Sequence, residues 1–124
     1  MNWYKKADIP LIQQLMALRS EIVIQAQQIY DDWELDNDVY GGGGICDRIA
    51  EEIGGIISMS IPDVEVEEGG QEGDDHNWVM VRKGNEIYGV DIPYWIYERG
   101  GGYSWTKIPG IKFNTNNVDV WRIQ

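Results

Sequence analysis

The chain reads as an α+β domain, with N-terminal helices packed on one face of an antiparallel β-sheet. Three observations predict this. Apolar residues from about residue 8 to 35 recur at spacings of three, four and seven, the period of an amphipathic helix. After Pro62 the pattern changes to short runs rich in Val, Ile, Trp and Tyr, which suit strands. Helices first and strands after place the chain in the α+β class, because consecutive strands joined by short turns pair antiparallel. All 124 residues are read as one domain, helical over about 8–59 and sheet-forming over about 62–124.

The first helix carries Leu11, Ile12, Leu15, Met16, Ile22, Val23, Ala26, Ile29, Tyr30 and Trp33, with Gln and charged residues between them. It is expected to be bent or split, with Pro10 in its tolerated first turn. Gly41 to Gly44 end any helix. A second helix is expected from about Cys46 to Ile53, weakened at Gly54-Gly55. Val64 to Glu67 alternates like a strand, and Glu68 to Asp75, holding Gly and acid without an apolar anchor, reads as a loop. Residues 76–82, 86–92, 95–98 and 118–123 are the stronger strand candidates. The stretch from Gly100 to Asn117 reads as turn-rich.

Composition narrows the function. The net charge of −11 works against phosphate-backbone binding, which needs Lys and Arg to displace counterions, so no nucleic-acid partner is expected. It favours basic or neutral partners. No run of about 18 apolar residues is present and the start lacks an apolar leader, so a cytoplasmic protein without a membrane span is expected. A single Cys and a single His exclude a disulfide framework and a Cys/His structural zinc site, and neither metal nor cofactor is expected. The glycine run is no P-loop, since the Lys-Ser/Thr that contacts phosphate and magnesium is missing.

The lone Cys46 and lone His76 stand where chemistry would place them. Cys46 follows Gly41-Gly42-Gly43-Gly44-Ile45 and opens the apolar row Cys46, Ile49, Ala50, Ile53, at an expected helix start. A free thiol titrates near about 8.5, and a helix N-terminus with an adjacent imidazolium lowers that by several units. Glycines before the thiol let the backbone approach a substrate and leave N–H groups for an oxyanion. His76 begins one strand candidate and Asp91 closes the next. With a two-residue turn at Lys83-Gly84, His76 faces Asp91 directly. A turn at Gly84-Asn85 shifts the pairing by two and keeps both on one face, whereas a three-residue loop separates them. A carboxylate there would hold the imidazole in the tautomer that accepts the thiol proton.

His76-Asn77-Trp78, the hairpin and Val90-Asp91 resemble the His-x-Trp and Asp strands of transglutaminase-like proteins. Gly44-Ile45-Cys46 resembles the nucleophile-bearing helix start of the wider papain-like superfamily. The resemblance covers roughly Gly41 to Ile92. It implies a papain-like fold and a Cys-His-Asp triad, with Cys46 as nucleophile, His76 as general acid/base and Asp91 as its orienter. The substrate implied is a peptide or protein amide, ester or thioester. The glutamine that papain-type peptidases carry before the cysteine is missing from Asp36 to Tyr40. Tyr40, six residues before Cys46, is its substitute, and Gly43, Gly44, Ile45 and Trp78 complete the oxyanion and substrate candidates.

Each residue also has a plainer role open to it. Cys46 could be a buried core thiol, His76 a solvated loop residue beside Asp74 and Asp75, and Asp91 the cap of a turn before Pro93. Glu65, Glu67, Glu68, Glu72, Asp74 and Asp75 form either a solvated face or a lid that selects basic substrates. Trp95, Tyr103 and Trp105 suit core packing better than a substrate groove. The competing functional class is a non-catalytic acidic binding or inhibitor protein that captures a basic partner surface.

Overall fold

In the computed structural model the described residues are 9–33, 45–69, 76–101, 104–108 and 110–124. Helices α1 (Leu11–Ala17), α2 (Arg19–Asp32) and α3 (Ile45–Ser60) precede strands β1 (Glu65–Gly69), β2 (Trp78–Lys83) and β3 (Glu86–Asp91). A short helix α4 (Tyr94–Tyr97), strands β4 (Glu98–Gly101) and β5 (Ser104–Lys107), a 3-10 turn at Thr115–Asn117 and strand β6 (Asp119–Arg122) follow. The main sheet is antiparallel in the order β1-β2-β3-β6, and β4 and β5 form a separate hairpin. The class is α+β, as expected.

The expected long N-terminal helix is split at Leu18. There the N–H bonds back three residues to the Leu15 carbonyl at 3.0 Å, a tightened turn that breaks the α-helical ladder. Pro10 stands just before α1, where its missing N–H costs nothing and its carbonyl accepts from Gln13 and Gln14. Leu11 and Leu15 of α1 and the row Ile22, Ala26, Tyr30 of α2 bury one face, at the four-residue spacing of a helix stripe. From the far end of the chain Gln27 holds the segment before the 3-10 turn, accepting from Phe113 N–H at 2.8 Å and donating to Ile111 O at 3.2 Å.

Two expectations are corrected. The second helix does not fade at Gly54-Gly55 but continues to Ser60. Gly54 is where α3 comes nearest to β1: a Cβ there would lie 3.2 Å from Val66 Cγ1, so the glycine serves close packing. The run from Trp95 to Glu98 is helical over Trp95 to Tyr97, and only its last residue, Glu98, opens a strand, β4. Pro93 ends the extended β3 segment, and Ile96 N–H bonds to Pro93 O at 3.0 Å, which closes the turn that becomes α4.

The β2–β3 register pairs Lys83 with Glu86 and Val79 with Val90, so the hairpin turn is Gly84-Asn85 and not Lys83-Gly84. Gly84 has φ of +61° and Asn85 is not in the positive-φ region, the pattern of a II′ turn, whose twist matches that of the strands. Alternation then directs Val79, Val81, Tyr88 and Val90 into the core against the helices. Trp78, Met80 and Gly89 take the opposite face. Trp121 lies directly over Gly89 and packs on Trp78 at a ring separation of 5.1 Å, so a side chain at position 89 would run into its indole.

Candidate active site

The site lies where three element ends meet: the start of α3, the residues leading into β2, and the last residue of β3. Cys46 is the second residue of α3 and is half-buried. The first N–H groups of a helix have no intrahelical partner, so the thiol stands beside a positively polarised end. Ile45 before it is fully buried in the core and Ile49 follows one turn later, which fixes how the helix start is seated.

His76 Nε2 and Asp91 Oδ2 are 2.8 Å apart, with only 6% and 9% of the two side chains exposed. The expected direct pairing of residues 76 and 91 is corrected by the Gly84-Asn85 turn. Asp91 stands at the register position of Trp78, which leaves His76 on the diagonal two residues earlier. A shift of two preserves the face, which is why the contact survives. The Cys46 side chain is the third group of the arrangement, and with Asp91 it favours the charged form of His76.

The electrostatics follow from this geometry. Burial pulls the His76 pKa down, but the hydrogen bonds to Asp91 and Cys46 and the charges of both outweigh it. The pKa is raised from 6.5 to about 9. Burial raises the pKa of Asp91, and the neighbouring Asp119 charge adds to the rise while the His76 contact opposes it. At neutral pH the imidazole is therefore held as a cation beside the thiol. The burial of the His76 side chain corrects the plain reading of it as a solvated loop residue.

A second contact fastens the same corner. Asn77 Nδ2 donates to Asp47 Oδ1 at 2.8 Å. Asn77 follows His76 and Asp47 follows Cys46, so one hydrogen bond ties the two backbones that carry the imidazole and the thiol. Sequence reasoning passed over this pair. Its one signal was adjacency, an acid in the first helical turn beside the thiol and an amide beside the imidazole.

The remaining candidates divide. Ile45 offers only its backbone, because its side chain is in the core. Trp78 is half-buried against Trp121 on the sheet face opposite Val79 and Val81. Tyr40, Gly43 and Gly44 lie outside the described residues, as do Glu72, Asp74, Asp75 and Tyr103. Trp95 is 69% exposed, which corrects its expected core role. Among the described residues no group of three or more His, Cys, Asp and Glu is placed to hold a metal ion, and no helix is long and apolar enough to cross a membrane.

No protein-family model, curated protein or solved structure matches this chain.

Proposed function

We propose that this protein is a cysteine-dependent acyl-transfer enzyme, papain-like in type and transglutaminase-like in its His and Asp strands. Cys46 is the nucleophile, His76 the general acid/base and Asp91 the group that orients it. One observation carries the reading: a thiol at a helix start acts on an imidazole whose far nitrogen is 2.8 Å from a buried carboxylate. Because Nε2 is engaged by Asp91, Nδ1 is the nitrogen left to take the thiol proton.

The cycle follows from those roles. The Cys46 sulfur attacks the substrate carbonyl carbon, and the C=O π electrons move to oxygen. Unpaired N–H groups of the first turn of α3, that of Cys46 among them, face the developing oxyanion. Collapse of this intermediate breaks the bond to the leaving amine, which takes the Nδ1 proton. The acyl group stays on sulfur as a thioester. Water or a second amine then attacks, its proton passes to the now neutral Nδ1, and the C–S bond breaks to restore thiolate and imidazolium. Water gives hydrolysis or deamidation and an amine gives transfer. Peptide bonds and protein side-chain amides are the substrates proposed.

An irreversible peptide vinyl sulfone tests the reading. It should add its mass to the folded protein at Cys46, and His76→Ala should suppress the adduct. Labelling only after unfolding would remove the enzyme reading and leave a non-catalytic acidic protein. If His76 and Asp91 act as one unit, the loss in Asp91→Asn/His76→Ala should be little greater than in His76→Ala alone. Losses that multiply would separate the two residues.

A further inference from the structure

Between α3 and the edge strand β1 runs a groove of about 240 Å³. Its floor is Ala50, Gly54, Val66 and Val79, Glu51 and Glu68 stand at its rim, and Glu67 lines it from the strand edge, on the face that Met80 takes. Ala50 and Gly54 follow Cys46 at intervals of four along α3, so the groove starts one helical turn from the thiol on the same side of the helix. The small residues keep this flank of the helix low. Among the described residues β1 pairs only with β2, and no described strand lies on its other edge. Alternate residues of an edge strand turn N–H and C=O groups outward, a ready template for a further strand. Acidic side chains on such an edge repel most chains and admit those carrying the opposite charge.

We propose that this groove binds an extended, lysine- or arginine-rich polypeptide segment. The segment adds to the outer edge of β1 by backbone hydrogen bonds, sets small or aliphatic side chains into the floor, and places its cations against Glu67 on the other face of the sheet and against Glu51 and Glu68 at the rim. As the route by which a substrate reaches Cys46 this rests on the acyl-transfer reading; as a binding site it does not.

The experiment therefore uses the full chain with Cys46→Ala, so that binding is read without turnover. The probes are a fluorescein-labelled peptide of alternating Lys and Val and a matched peptide of alternating Gln and Val, followed by anisotropy. The Lys peptide should bind and the Gln peptide should bind at least about tenfold more weakly, as expected for several partly exposed charge pairs acting together. Glu51→Gln/Glu67→Gln/Glu68→Gln should weaken the Lys peptide by a similar factor. Glu21→Gln/Asp31→Asn/Asp32→Asn, which removes the same charge from α2, should not. Hydrogen exchange at the amides of β1 should slow when the Lys peptide saturates the protein. Equal loss in the two triple variants would reduce the effect to net charge and overturn the site. Equal binding of both peptides would do the same, as would unchanged exchange in β1. Concentration-dependent self-association lost in the Glu51/Glu67/Glu68 variant would assign the edge to a second copy of this chain instead.

Discussion

The Tyr30 hydroxyl and the His76 imidazole are both buried polar groups held by partners distant in sequence, and the protein treats them in opposite ways. The Tyr30 hydroxyl lies 2.8 Å from the carbonyls of both Tyr97 and Ile108 and accepts from Ile108 N–H at 2.5 Å. Its ring packs edge-on against Tyr97 and Phe113. These partners are neutral backbone groups and aromatic faces, so they offset the cost of burial, and the cluster locks α2 to the C-terminal half of the chain. His76 meets a carboxylate and a thiol instead, and its pKa moves far from the ordinary value. Neutral satisfaction makes a structural lock, whereas a buried charge set beside a thiol is what the proposed chemistry rests on.

The largest expected effect breaks the lock. Tyr30→Ala should destabilise the fold by about 3–5 kcal/mol, the usual cost of emptying an aromatic site. Tyr30→Phe should cost about 1–3 kcal/mol, because it keeps the packing and strips the hydroxyl from buried backbone groups. Urea unfolding measures both, and in Tyr30→Phe the folded Cys46 should alkylate at the wild-type rate. A matching loss of reactivity would show that the two regions are one.

The next effect belongs to the charged corner. His76 is raised from 6.5 to about 9 and Asp91 is raised as well, so over both windows the folded state holds more protons than the unfolded one. Stability should therefore fall as pH rises. The His76 share should be fully present below 6.5 and lost by about 9. That share amounts to about 3 kcal/mol, at about 1.4 kcal/mol for each pKa unit. Unfolding curves of the wild type and His76→Gln across this range isolate it. Parallel curves would mean that His76 is not held as a cation.

Smaller effects sharpen the contrast within the corner. If the proposed pair operates, His76→Ala should slow Cys46 alkylation at pH 6 by at least about tenfold, since the imidazole beside the thiol is gone. Asn77→Ala removes the tie to Asp47 and should cost about 1 kcal/mol of stability. It should slow alkylation only a few-fold, because the His76–Asp91 contact remains. An Asn77→Ala loss as deep as that of His76→Ala would make the Asn77–Asp47 bond the main determinant of the site.

Much of this corner was legible because Cys46 and His76 have no competitors of their kind, and because a glycine run before an apolar helical row marks a helix start. The shared face of His76 and Asp91 was legible too, since both two-residue turns preserve it. The choice between those turns was not, because it depends on Gly84 adopting a positive φ at the first turn position, and Lys83-Gly84 and Gly84-Asn85 both contain that glycine. Gly54-Gly55 misled because a glycine weakens an isolated helix, while here the approach of Val66 requires the missing side chain. Trp95 to Tyr97 misled because β-favouring residues followed a proline that starts a helical turn. Asn77 and Asp47 carry no periodic signal, and only the tertiary meeting of α3 and β2 makes them partners.

The central claim is that the imidazolium of His76 keeps Cys46 reactive in the folded protein. Its most direct test is the rate of Cys46 alkylation by iodoacetamide at pH 6, in native buffer, against glutathione under the same conditions. The account predicts a rate at least about tenfold above that of glutathione if the helix start and the neighbouring imidazolium activate the thiol as proposed. A rate at or below that of glutathione, rising only when the protein is unfolded, would contradict it and make Cys46 a structural thiol.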